Sequence, residues 1–218
     1  MIRNDYIMRL IEQFAVVLTR ALGLKNISQL TAALELLRSE SGRLIGLDGM
    51  MLEMLSPDEI RRALHSPEAG LIAGRVLEEM ANIHREQDLP GRAQADNFKA
   101  LDLYAHILEG EAPRIEDDLR EHMTLVMSGL EDAELPWGHR RAFVRYYELT
   151  RRFDRAEDLL FDLIDEGFDT ASLIGEGLTF YDRLLKLTDD ELESGGLPRT
   201  EVIDARESLE RMRSESGT

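Results

Sequence analysis

A helical spacing of apolar residues that recurs from one end of the chain to the other constrains this sequence more than any single motif. Ile7, Leu10, Ile11, Phe14, Val17, Leu18 and Ala21 stand at offsets of 0, 3, 4, 7, 10, 11 and 14, on one face of an amphipathic helix. Asn4 or Asp5 offers a cap for its start and Gly23 an end. Leu30, Ala33, Leu34, Leu37 and Leu44 repeat the pattern in a second helix from about Ser28, and the short link implies an antiparallel pair. No stretch has the period-two alternation of a half-buried strand. The expected fold is therefore all-α, roughly ten helices in antiparallel pairs with no sheet.

Local punctuation places the later helices. Ser56-Pro57-Asp58-Glu59 reads as a capping box, and Ser66-Pro67-Glu68 repeats the Ser-Pro start before a long helix over about 67–87. Pro90-Gly91 breaks the pattern, and a helix over about 92–109 stops at Gly110. Further helices are predicted over 114–130, 136–150 and 154–166, and another from a Thr170 cap to Leu187. Thr188-Asp189-Asp190-Glu191 is a second capping box, and Pro198 opens a terminal helix to about Arg213. The organisation expected is one helical domain over 1–218, made of a helix pair in 1–47, middle helices in 57–130 and a C-terminal part in 136–213.

Composition removes whole classes of chemistry. The 218 residues include no cysteine, which excludes disulfides, thiolate metal sites and thiol nucleophiles. Asp and Glu number 43 against 26 Lys and Arg, a formal charge of −17 that argues against general nucleic-acid or anionic-membrane binding. The apolar share of 43% is that of a foldable chain, so the charged residues read as a solvated exterior. No apolar run approaches the roughly 20 residues of a membrane span, and Arg9 and Glu12 interrupt any secretory leader, so the protein reads as cytoplasmic. Residues 1–47 hold six cationic and four anionic side chains, a net of +2, which leaves −19 for the remainder.

Phe143, Tyr147, Phe153, Ala156, Leu160, Leu163 and Ile164 resemble the large and small apolar code of the tetratricopeptide repeat, in which a small residue on the second helix lets the first approach. Leu30, Ala33 and Leu37, and Ala100, Tyr104 and Leu108, are weaker echoes, and Arg151 stands where that family usually has a Gly between helices. The whole chain also resembles an uncharacterised bacterial family of acidic helical-repeat proteins. Asn4-Asp5-Tyr6-Ile7-Met8-Arg9-Leu10-Ile11, Ala156-Glu157-Asp158-Leu159-Leu160-Phe161 and Gly196-Leu197-Pro198-Arg199-Thr200-Glu201-Val202 carry that resemblance. It implies a fold and no activity.

The residues that could carry chemistry are few. His65, His84, His106, His122 and His139 form no Glu-x-x-His or His-x-x-x-His motif. His84 with Asp88, His106 with Asp102 and His122 with Asp118 are i, i+4 pairs expected as surface partners. Glu116-Asp117-Asp118 and Asp189-Asp190-Glu191 fall in first helical turns, which the helix dipole favours, and neither is an EF-hand loop. Gly70 and Gly74, and Gly175 and Gly177, lie inside helical patterns and read as close helix contacts rather than phosphate loops. No catalytic residue, metal ligand or cofactor is assigned.

One anomaly is electrostatic. Arg140, Arg141, Arg145, Arg151, Arg152 and Arg155 face only Glu148 and Asp154 in their stretch, interleaved with Trp137, Phe143, Tyr146, Tyr147 and Phe153. Arginine with aromatics is the composition of interface hot spots, and Arg binds carboxylates bidentately. The tetratricopeptide resemblance implies that Arg141, Arg145, Glu148 and Leu149 line a concave groove, with Arg152 in the same candidate surface. The alternative is that these arginines pair with the chain's own carboxylates, Glu148 with Arg152 among them. Three readings follow: a non-enzymatic module binding a protein or peptide, possibly acidic or through a C-terminal carboxylate; a metal sensor or helical enzyme built on His106 and His122; and a self-associating homo-oligomer subunit with Phe14 and Val17 in the seam.

Overall fold

A computed structural model describes residues 13, 16–17, 19–23, 29–110, 115–130 and 137–216. These residues are helical, with no strand among them: α1 (19–23), α2 (Leu30–Ile45), α3 (Gly49–Met54), α4 (Pro57–Ala63), α5 (Pro67–Glu86), α6 (Pro90–Glu109), α7 (Glu116–Ser128), α8 (Trp137–Leu149), α9 (Phe153–Asp165), α10 (Thr170–Leu184), α11 (Asp189–Ser194) and α12 (Arg199–Ser216). Contacts divide the chain into two compact units, Met1–Asp132 and Ala133–Thr218. No helix among the described residues is long and apolar enough to cross a membrane.

Helix starts follow the side chains that satisfy their orphan amides. The Ser56 hydroxyl accepts the Glu59 N–H at 3.3 Å while the Glu59 carboxylate accepts the Ser56 N–H at 2.8 Å, and Thr188 and Glu191 repeat the exchange at α11. Ser66 accepts the Ala69 N–H at 3.2 Å and Pro67 takes the first position of α5. The acidic triplets open α7 and α11. Thr170 does not cap α10: Asp169 occupies the cap position at φ 50°, and its carboxylate accepts from Arg141 at 2.7 Å instead of from the helix backbone.

Five helix-to-helix turns among the described residues share one device. After α2, α5, α8, α9 and α11 the chain passes through a left-handed residue, Gly46 (φ 78°), Asp88 (φ 58°), Arg151 (φ 58°), Gly167 (φ 79°) and Gly196 (φ 79°). After α8 the Arg151 N–H donates to Glu148 O and the Arg152 N–H to Tyr147 O, the paired bonds of a Schellman motif. These turns reverse the chain so that α5 packs on α6 and α8 on α9; α10 then packs on α9 and α12.

Close approach needs small residues at the crossings. A Cβ on Gly74 would strike the Tyr104 ring, which is wholly buried against α5. A Cβ on Gly177 would stand 2.5 Å from Leu209 and 2.8 Å from Leu160, so this glycine lets α9 and α12 both meet α10. The second unit's core forms there, from Phe153, Ala156, Leu160, Leu163, Phe180, Tyr181 and Leu209. Burying each large side chain contributes on the order of 2 kcal/mol.

Candidate functional site

Helices α8 and α10 lie side by side and are joined by charge. Arg183 directs its Nε and Nη2 to the two oxygens of Glu148 at 2.6 and 2.7 Å, and Arg145 reaches the same carboxylate at 2.6 Å. One helical turn or more earlier, Arg141 donates to Glu176 Oε2 at 3.1 Å, to Asp169 at 2.7 Å and to the Ser172 hydroxyl at 2.7 Å. Its hydrogen bond to Glu176, with that to Asp169, pushes the Arg141 pKa further up, so the guanidinium is a permanent cation. The same guanidinium stands 5.4 Å from the centre of the Trp137 ring, and Trp137 tilts against the exposed Phe168 at 6.5 Å.

Between the two helices runs a groove of about 640 Å³. Arg141, Arg145, Arg183, Glu148 and Glu176 supply its charged walls, and Val144 and Phe180 part of its apolar floor. Gly175 lines it too, and a Cβ there would meet nothing within 4 Å. Three guanidinium groups, of Arg141, Arg145 and Arg183, are thus held against three carboxylates, of Glu148, Glu176 and Asp169.

The five predicted interface residues do not all gather here. Arg141, Arg145 and Glu148 line the groove, whereas Leu149 is buried and Arg152 stacks over Tyr147 at 5.1 Å in the turn after α8. Glu148 pairs with Arg145 and with Arg183, whose fork from α10 presents two parallel donors. Arg183 was not singled out from the sequence; a cation 35 residues from Glu148, one helix pair later, is the signal that points to it. Of the two residues placed in a self-association seam, Val17 is buried within the chain and Phe14 lies outside the described residues.

The histidines are also partnered differently from their i, i+4 spacing. His84 is buried, and its Nδ1 lies 2.8 Å from Asp96 across the α5–α6 hairpin, with Glu53 of α3 at 3.8 Å from Nε2. Burial pushes the Asp96 carboxyl up from its ordinary value, against the opposing effect of its hydrogen bond with His84. Arg38 pairs with Glu53 at 2.6 Å, and Lys99 donates to the carbonyls of Leu52 and Glu53 at the end of α3. His122 meets Glu78 at 3.1 Å and also contacts Arg75, while Tyr104 donates to the same Glu78 at 3.1 Å. Asp102 pairs with Arg61. These groups interlock helices; among the described residues no group of three or more His, Asp and Glu could hold a metal ion.

On the other side of the second unit, Glu157, Asp158, Asp162, Glu201 and Asp204 line an acidic face between α9 and α12. Tyr181 donates to Glu157 at 2.7 Å, and burial pushes both pKa values up.

No curated protein and no solved structure matches the chain. The model of a family of unknown function, DUF6483, matches residues 1–214, and the chain belongs to that family.

Proposed function

We propose that this chain is a non-enzymatic, tetratricopeptide-like helical protein that takes a protein or peptide ligand into the α8/α10 groove. The ligand presents an acidic side chain or a terminal carboxylate. The observation that carries this reading is the groove itself, with Arg141, Arg145 and Arg183 on its walls in a chain of net charge −17. The Arg141–Glu176 and Glu148–Arg183 pairs each join residues 35 apart, close to the roughly 34-residue period of tetratricopeptide helix pairs. Trp137 and Phe168 beside Arg141 add the aromatic anchors that interfaces favour.

Gly175→Trp tests the reading with little risk to the fold, since the added ring enters open groove space. On an array of peptides with free or amidated C-termini and graded acidity, the wild-type protein should retain acidic or free-carboxylate peptides. Gly175→Trp should lose them, and Arg145→Ala/Arg183→Ala should weaken them about tenfold or more, as expected for lost charge-assisted hydrogen bonds. Retention of no peptide by the wild type, or equal retention by Gly175→Trp, refutes the groove as the binding site.

A further inference from the structure

A second cavity, in the first unit, has a chemistry unlike the rest of the molecule. It measures about 300 Å³, at the small end of ligand-binding cavities, and lies between α4, the start of α5 and the last turns of α6. Leu64, Leu103 and Ile107 give it an apolar floor, while Arg61, His65 and His106 stand around it. Among the described residues no carboxylate lines it, although 43 of the chain's 218 residues are acidic.

The polar groups have donors to spare. The terminal nitrogens of Arg61 each give one hydrogen bond, to Asp102 and Asp58, which leaves its Nε–H and the second hydrogen on each terminal nitrogen uncommitted. Those two carboxylates fix the guanidinium in place. His65 and His106 are exposed, and among the described residues neither imidazole has a hydrogen-bond partner. Arg61, His65 and His106 thus bring N–H groups to one small apolar cavity. Gly70 keeps α5 close to α6 beside it, since a Cβ there would stand 2.8 Å from Ile107.

From this arrangement we propose that the cavity binds a small monocarboxylate with an apolar body. The carboxylate is held by Arg61 with His65 and His106, and the hydrocarbon rests on Leu64, Leu103 and Ile107. A neutral ligand of the same shape leaves the donors unanswered, and a bare inorganic anion leaves the apolar floor wet. The proposal is independent of the α8/α10 groove.

Isothermal titration with acetate, isovalerate and phenylacetate on the full chain, alongside phenylacetamide, tests it. Saturable one-site binding of isovalerate or phenylacetate is expected, with acetate and phenylacetamide weaker by about tenfold or more. His65→Glu and His106→Glu should each weaken the carboxylate by a similar factor, and His65→Ala/His106→Ala replaces them if either charged variant fails to fold. Gly175→Trp should leave the affinity unchanged. Absence of saturable binding by all three carboxylates, equal binding of the amide, indifference to the histidine variants, or loss in Gly175→Trp would each overturn the proposal.

Discussion

His84 with Asp96 in the first unit, and Arg183 with Glu148 in the second, are both hydrogen-bonded pairs joining two helices, yet they live in different solvents. The His84 and Asp96 side chains are 1% and 6% exposed, whereas Arg183 is 38% exposed above a largely covered Glu148. In the first unit desolvation outweighs the attraction, which is why the Asp96 carboxyl titrates above its ordinary range despite its partner. In the second, water reaches the guanidinium and the pair can open at small cost. Buried pairs fix which helices pack together. Open pairs leave their donors within reach of water.

Breaking each pair should expose that difference most strongly. Asp96→Ala leaves a buried imidazole N–H without an acceptor and an empty site beside it, at a cost of about 3 kcal/mol. Arg183→Ala leaves Glu148 paired with Arg145, and its cost should be about 1 kcal/mol or less. Urea unfolding of both variants, with a probe in each unit, measures the ratio. Similar losses for the two would show that exposure does not separate them. A double variant His84→Leu/Asp96→Leu should regain much of the single-variant loss, since an apolar pair removes the desolvation cost together with the attraction.

The helices were legible from the sequence and the partners were not. Ser56, Ser66 and Thr188 cap the helices their sequences announce because a cap is settled within four residues, by the nearest orphan amides. Asp169 shows the limit: a tertiary cation took the carboxylate, and Thr170 lost the capping role that its sequence suggested. His84 and His122 chose partners 12 and 44 residues away, which spacing along one helix cannot reveal. A signal did exist for His84, which falls in register with Leu77, Met80 and Ala81 on the buried face of α5. Asp96 likewise falls with Ala93 and Ala100 on α6. Two polar residues on facing apolar stripes of a hairpin must find each other or remain unsatisfied.

Acid should separate the buried and exposed carboxylates next. Burial raises the pKa of Asp96 and Asp102 in the first unit and of Glu157 in the second. A carboxyl whose folded pKa lies above its unfolded value binds its proton more tightly in the folded state. Its contribution is therefore complete below the unfolded value, 3.8 for Asp and 4.5 for Glu, and is lost as pH rises through the folded value. Glu59 and Glu191 run the other way: hydrogen bonds with Ser56 and Thr188 lower them, so their contribution is present above the unfolded value and lost as pH falls below it. The melting temperature should thus rise as pH is lowered from neutrality toward the unfolded carboxyl values, and fall again in stronger acid. Asp102→Asn should flatten the rise. A melting temperature that falls steadily from neutrality would mean that the buried carboxyls do not control this limb.

The smallest contrast concerns backbone. Asp88 and Arg151 occupy the same left-handed position of equivalent turns, one in each unit, both at φ 58°. Aspartate tolerates that region better than a long side chain does, because its short polar group bonds locally. Arginine there costs on the order of 1 kcal/mol relative to glycine, which meets no Cβ penalty. Among the described residues, what offsets this cost at Arg151 is a 3.7 Å approach to Glu191 with both side chains substantially exposed, a pair of small worth. Glycine loses more entropy on folding, which offsets part of the gain. Arg151→Gly should therefore stabilise the protein by about 0.5 kcal/mol, while Asp88→Gly should change it by less than that. Parallel urea titrations decide between them, and a loss on Arg151→Gly would show that the Glu191 contact outweighs the backbone cost in this turn.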